Sequence, residues 1–325
     1  MHKGICFGFL LSSSLLVAQS LAGAGYPAPA PVSVAPGQIA TLYVPGVQLA
    51  LVNTPPGTPP TVTLQQNGAN TTTAPIQSVR VVSQCPDVTA ISVSTCGSLT
   101  AITVQIPYEL VPYCPLCAKP VSATPPLLTI SQNGQALTSI ELNPLADEVH
   151  VLTACDVALG PPTLSQPNLT GLPCSPLITH ADGSLVSAAS PANVGEALTA
   201  WVFGLGQTTP AATTGQPAKM AHTVETFNLD FNYQVNALPT KPFTGEPDRV
   251  PLVPLFAGLA PGFVGLYQVN FVVPTQPPNG TPLCTAAGAA GPGADIAQSN
   301  LTVSIGGQFS FDGAGICVAT QIPVD

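Results

Sequence analysis

Phe256-Ala257-Gly258-Leu259-Ala260-Pro261-Gly262-Phe263-Val264-Gly265-Leu266-Tyr267-Gln268-Val269-Asn270-Phe271-Val272-Val273-Pro274 decides the fold class. Its first part holds Gly258, Gly262 and Gly265, which accept tight turns and positive φ, and Pro261, which pre-sets φ at a turn position. From Leu266 the residues become apolar and β-branched, and the run stops at Pro274, which cannot donate to a ladder. The reading is a glycine-rich turn that runs into a strand. A second strong strand, Ala197 to Phe203, carries the single tryptophan, Trp201. Together the two stretches predict the centre of a β-sandwich.

Composition supports a folded, exported chain. The 325 residues suffice for about two domains. Hydrophobic residues make up 45%, enough for cores, while charged residues make up only 6%, far below an ordinary soluble protein. With six Lys and Arg and a net charge of -9, no basic patch for nucleic acid or anionic lipid can be built. Met1-His2-Lys3, the apolar run from Ile5 to Ala18 and the small residues Ala22-Gly23-Ala24 read as a signal peptide over 1–24, with Gly25 as the mature start. No later run is long enough for a membrane span. Of nine cysteines, Cys6 falls in the leader. The remaining even set in an exported chain predicts disulfides, and proximity suggests Cys85–Cys96, Cys114–Cys117, Cys155–Cys174 and Cys284–Cys317.

Residues 25–36 read as a Pro/Ala-rich tether with little to bury. Alternating strands follow at Ile39 to Val44, Val62 to Gln66, Val79 to Val82, Ala90 to Val93, Ala101 to Ile106, Leu127 to Gln132 and Leu137 to Leu142. Asn67-Gly68 and Asn133-Gly134 read as hairpin turns. A Pro/Gly/Ser/Asn-rich stretch over 154–178 reads as a linker between a first sandwich, 37–153, and a second, 179–325. In the second, Phe227 to Val235 alternates apolar and polar, and strands close the chain at Leu301 to Ile305 and Phe309 to Val318. No stretch of helical length shows helical periodicity, so the fold class is all-β.

The halves repeat. Gly37 to Gly46 aligns with Gly195 to Gly204, Ile102 to Pro107 with Val269 to Pro274, and Leu128 to Gln135 with Leu301 to Gln308, all in the same order. The expectation is two tandem immunoglobulin-like sandwiches of roughly 120 to 140 residues each, stapled by disulfides.

Five motifs in the second half occur in a set order: His180 to Val186; Ser190-Pro191-Ala192 with Gly195-Glu196; Gly204 to Thr208; Gly215 to Ala218; and Phe256 to Pro274. Over residues 178–305 the chain closely resembles an uncharacterised C-terminal domain of secreted proteins from soil bacteria of the Solibacter type. The first half resembles a divergent partner domain through Pro36 to Ile39 and Val104 to Leu110. The resemblance implies an immunoglobulin-like, IPT/TIG-type sandwich in an exported protein, and no reaction. The extra cysteines and the insertion from Pro277 to Gly293 depart from the pattern.

Catalytic, cofactor and metal sites are not expected. There is no Gly-x-Ser-x-Gly elbow, and His180 with Asp182 reads as part of a corner turn at Asp182-Gly183. Cys114-Pro115-Leu116-Cys117 has redox spacing, but a redox thiolate wants a helix N-terminus; in an irregular loop it reads as a structural disulfide. Asp147, Glu148 and His150 read as a polar cluster at a hairpin end and not as a metal site. Asp230 and Asn232 read as facing water. Trp201, aligned with Tyr43, reads as core, leaving Tyr233 and Tyr267 as platforms for a sugar.

The function expected is therefore non-catalytic: a secreted or cell-surface protein with a structural, adhesion or matrix role, partnered by itself, by extracellular matrix or by polysaccharide. A carbohydrate-binding module and an extracellular filament or sheath subunit are the rivals. Asn70, Asn168, Asn279 and Asn300 are glycosylation sequons.

Overall fold

Alternation of apolar and polar residues is realised as strands in both halves. The computed structural model describes residues 21–23, 26–28, 31–48, 58–66, 68, 71–81, 99–112, 125–153, 156, 175–233, 250–275, 281, 283–284 and 299–319. The chain is all-β. Its first half contains β1 (Leu21–Gly23), β2 (Tyr26–Ala28), β3 (Val32–Val34), β4 (Ile39–Pro45) and β5 (Thr61–Gln65). β6 (Thr72–Thr73), β7 (Ile76–Val81), β8 (Leu99–Gln105), β9 (Leu127–Gln132) and β10 (Gln135–Pro144) follow, while the expected strand Ala90 to Val93 lies outside the described residues. They form two sheets, β2-β1-β4-β8-β7 and β3-β10-β9-β5-β6. Leu42 and Ile102 from one sheet meet Val62, Ile130 and Leu142 from the other in a closed core.

The second half contains β11 (His150–Val151), β12 (Ile178–Thr179), β13 (Ala197–Phe203), β14 (Thr208–Thr209), β15 (Ala221–Thr223) and β16 (Asn228–Asn232). β17 (Val250–Leu252), β18 (Phe256–Leu259), β19 (Tyr267–Val272), β20 (Leu301–Gly306) and β21 (Phe311–Ile316) follow. One sheet runs β11-β13-β19-β18-β15-β14 with β12 also on β13, and the other β17-β16-β20-β21. Leu198, Val202 and Phe271 face Phe231, Val303 and Ile316 across the second core. Each half is thus a two-sheet sandwich with its own apolar interior.

The opening stretch is a hairpin, not a turn feeding one strand. Phe256–Leu259 pairs antiparallel with Tyr267–Val272, Phe256 opposite Asn270 and Leu259 opposite Tyr267, so Pro261, Gly262 and Gly265 occupy its connection while Gly258 lies within β18, opposite Gln268. The Asn-Gly turn between β9 and β10 forms as its residues require, with Asn133 at φ 54° and Gly134 at φ 76°.

Two boundaries differ from those expected. Val32–Val34, inside the expected tether, is a strand parallel to β10, and Val32, Val34 and Ala35 are buried. Three small apolar side chains suffice to seat it against the first core. Leu21–Gly23, within the expected leader, pairs with β2 and β4. The second unit begins before the expected linker, because His150–Val151 already pairs with β13 and Val149 and Val151 belong to its core. The chain crosses at Leu145 to Glu148: the Leu145 amide donates to the Val34 carbonyl, and the Glu148 amide to Gly204. Most of 154–178 lies outside the described residues.

Candidate functional site

Among the described residues, three places gather residue types that could do chemistry, two in the second unit and one at its contact with the first. At the first, His180 meets Glu196 and not Asp182. Its Nδ1 lies 2.5 Å from Glu196 Oε1, and its Nε2 lies 3.1 Å from the Ser190 carbonyl and 3.4 Å from Ser190 Oγ. Serine, histidine and glutamate are the components of a hydrolytic triad. A general base, however, needs a bare Nε2 to take the serine proton, and here both ring nitrogens face acceptors. Such a ring is best served by two N–H donors, the imidazolium form. The hydrogen bond to Glu196 accordingly raises the His180 pKa and outweighs the opposing effect of burial. Glu196 Oε2 also takes the Asn193 amide at 2.8 Å, so the carboxylate locks the turn into β13. Asp182 closes the neighbouring turn, accepting from the Ser184 amide and hydroxyl at 2.9 and 2.7 Å.

At the second place, the crossing segment inserts its acids and His150 against the last hairpin. Asp147 is fully buried and accepts from the amides of Gln308 and Ser310 and from Ser310 Oγ at 3.2, 2.9 and 3.0 Å. Burial still pushes its pKa up, partly offset by those donors. Glu148 rises to about 7 through burial and the nearby charges of Asp147 and Asp312. His150 Nε2 lies 3.1 Å from Asp156 Oδ2 and its Nδ1 lies 3.3 Å from Asp312 Oδ2. Burial works to lower its pKa, but the two aspartates outweigh that and lift it to about 9. Asp312 also accepts the Val151 amide at 2.7 Å. Among the described residues no group of three or more His, Cys, Asp or Glu side chains could hold a metal ion. Asp147, Asp156 and Asp312 each hold a backbone amide.

The third place is the contact between the units. Tyr108, just after β8, reaches into the second unit, where its hydroxyl lies 3.3 Å from that of the fully buried Tyr267. Tyr267 donates to the Gly206 carbonyl at 2.5 Å. Burial is the main cause that raises the pKa of both phenols, so both stay protonated donors. Tyr267 is no sugar platform: it is fully buried and forms the floor of this contact. Tyr233 is buried too, donating to the Pro274 carbonyl at 3.1 Å.

Other expectations are redistributed. Trp201 is half-buried on the face of β13 opposite Leu198, Ala200 and Val202, so it does not join the core, whereas Tyr43 is buried beside Arg80. Asp230 and Asn232 do not face water: both are buried on the outward side of β16, opposite Ser304 and Thr302 of β20. Among the described residues, both amide atoms of Asn232 and Ser304 Oγ lack a hydrogen-bond partner, a cost of the kind that only surrounding structure can absorb. Alternation read along one strand could not show that its polar face would be covered. Asn300 is fully buried, donating to the Val318 carbonyl and accepting its amide, both at 2.8 Å; this sequon is part of the fold and is closed to glycan in the folded chain. Asn70, Asn168 and Asn279 lie outside the described residues. Cys284 and Cys317 are bonded, with Cα atoms 5.3 Å apart, one of the expected pairs. Cys85, Cys96, Cys114, Cys117, Cys155 and Cys174 lie outside the described residues.

No family model matches the chain, and no curated protein matches it. Among solved structures it is similar to the Yersinia pseudotuberculosis adhesin InvE, at 10% identity and a TM-score of 0.17, over 90% of this chain and 57% of that one. It is also similar to the C-terminal domain of the Streptococcus agalactiae AgI/II polypeptide BspA, at 11% identity and a TM-score of 0.18, over 89% of this chain and 94% of that one. The chain thus spans a little over half of the first adhesin's length. TM-scores this small carry no functional argument.

Proposed function

We propose that the protein is non-catalytic, exported, and structural or adhesive: a disulfide-stapled pair of sandwiches working in the extracellular space or at the cell surface. The observation that carries this reading is the His180 array. It has the residue types of a hydrolase, yet its Nε2 lies on the Ser190 carbonyl and its carboxylate on a backbone amide. A second support is the 6% charged composition, which leaves little repulsion to keep copies, or a matrix, at a distance. The Cys284–Cys317 bond suits an oxidising compartment, as does the resemblance of 178–305 to an exported Solibacter-type domain. Burial of Tyr233 and Tyr267 withdraws the two aromatic rings that a carbohydrate-binding reading relied on.

The test is light scattering coupled to size exclusion, run on the oxidised chain over a wide concentration range, beside binding to extracellular polysaccharide and matrix. Self-association or matrix binding is the expected result, and concentration-dependent polymers would single out a filament or sheath subunit. A strict monomer that binds neither, while hydrolysing an ester or glycoside substrate, would overturn the reading.

A further inference from the structure

We infer that the second sandwich carries a socket for the Gln105 to Glu109 finger of the first, so that the two units behave as one rigid body. The inference goes beyond the proposed role and holds whatever the outer partner is. The finger is Gln105-Ile106-Pro107-Tyr108-Glu109, running on from the last residue of β8. The socket is built from Gly206, Gln207, Thr214, Gly215, Gly265 and Tyr267.

The contacts are polar and directional, running from the buried pair of phenols through part-buried backbone contacts to an exposed rim at Glu109. Gln207 Nε2 donates to the Tyr108 carbonyl at 2.6 Å, and the Tyr108 amide donates to Thr214 Oγ1 at 2.9 Å. Both backbone groups of Tyr108 are therefore satisfied across the joint. Thr214 Oγ1 in turn donates to Glu109 at 2.6 Å, and the Gly215 amide to Gln105 Oε1 at 2.7 Å. With the Tyr267 proton committed to Gly206, the Tyr108 hydroxyl supplies the proton between the two phenols. Gln105 is fully buried and Tyr108 nearly so. Swinging the units apart would strand or rehydrate five hydrogen bonds together, so the joint opens all at once or not at all.

Steric fit is equally close. Gly265 has φ +65°, and a Cβ there would come within 2.7 Å of both the Gly37 carbonyl oxygen and Ile39 Cδ1 of the first unit. The crossing segment seals the other side, since a Cβ on Gly206 would lie 2.0 Å from the Ala146 carbonyl oxygen. Three stretches singled out in the sequence, around Val104 to Leu110, Gly204 to Thr208 and Gly215 to Ala218, therefore share one task. The Phe256 to Pro274 hairpin contributes Gly265 and Tyr267 to it.

The experiment compares the oxidised full chain with Tyr108→Ala, Gly265→Leu and Thr214→Val by calorimetry and small-angle scattering. Thr214→Val keeps the shape and removes two of the hydrogen bonds, so it is the variant to read if the harsher two do not fold. The native chain is expected to unfold in one transition and to scatter as a single body. The variants are expected to split that transition in two and to enlarge the radius of gyration, with the far-ultraviolet circular dichroism unchanged. Two independent transitions in the native chain, or folded variants that keep both its single transition and its scattering curve, would overturn the inference.

Discussion

The two sandwiches share a framework to the level of single hydrogen bonds and part company where they touch. β4 pairs with β8 as β13 pairs with β19, with Ile39 opposite Gln105 and Ala197 opposite Val272 at corresponding places. Thr41 and Thr103 bond across the first pair at 3.1 Å, and Thr199 and Asn270 across the second at 3.2 Å. The entry turns match as well: Gln38 Oε1 takes the Ala35 amide at 2.8 Å, and Glu196 Oε2 takes the Asn193 amide at the same distance. The difference lies beyond the strand ends. Tyr108 lies over Gly37, while at the corresponding place Thr275 stands 3.8 Å from where a Gly195 Cβ would be. The repeat explains the fold; its departures explain how two folds become one object.

The sharpest way to break this comparison is at Gly46 and Gly204, which correspond and have φ of 78° and 79°. A Cβ on Gly46 would meet nothing within 4 Å among the described residues, whereas one on Gly204 would lie 1.8 Å from the Glu148 carbonyl oxygen of the crossing segment. Gly46→Ala should cost about 1 to 2 kcal/mol, the backbone penalty alone. Gly204→Ala adds a clash with main chain and should cost on the order of 4 kcal/mol or more. Denaturant midpoints would decide, and equal losses would mean that the crossing segment does not grip the second unit.

The next effect belongs to the second unit, which holds every histidine among the described residues. The folded pKa of His150, about 9, stands above its ordinary 6.5. Its contribution is therefore complete below about pH 6.5 and fades as pH rises through 9. His150→Asn should lose about 3 kcal/mol at pH 6, with the gap to the native chain closing above pH 9; a gap that ignores pH would sink this assignment. Glu148 carries the opposite sense. Its folded pKa, raised from 4.5 to about 7, means that its ionisation opposes folding increasingly from pH 4.5 to 7 and fully above. Glu148→Gln should then gain about 1 to 2 kcal/mol at pH 8 and nothing at pH 4, read as a shift in melting temperature.

Much of this was legible in the residues. Apolar alternation, Asn133-Gly134 and the three repeated segments give strands, hairpin and tandem order, because period and turn chemistry are local properties. The joint was not legible. Tyr267 and Gln207 look like ordinary strand and loop residues until the other unit supplies Tyr108. Asp182 closes the corner turn that Asp182-Gly183 implies, but the partner of His180, Glu196, comes from the repeated entry turn, and the alignment of Gln38 with Glu196 is the available signal. Val32 and Val34 were hidden by surrounding prolines and alanines, since a parallel edge strand of three residues has too little pattern to declare itself. The burial of Asn232 depends on what covers the sheet, and no strand records that.

That same alignment sets up the mildest test. Gln38 and Glu196 hold equivalent turns through the same backbone contact, but only Glu196 also holds a histidine. Glu196→Gln gives the second unit the side chain of the first. If the residue serves chiefly to lock the turn, the new amide oxygen should keep the Asn193 amide, and stability near neutral pH should fall by well under 1 kcal/mol, as for a partly exposed ion pair. The His180 ring should respond far more than the fold does. Its pKa is held up first by the hydrogen bond to Glu196, so an imidazole titration followed by NMR should move back toward the ordinary histidine value. A large loss of stability would mean that the charge itself shapes this corner, and an unmoved titration would mean that Ser190 and not Glu196 governs the ring.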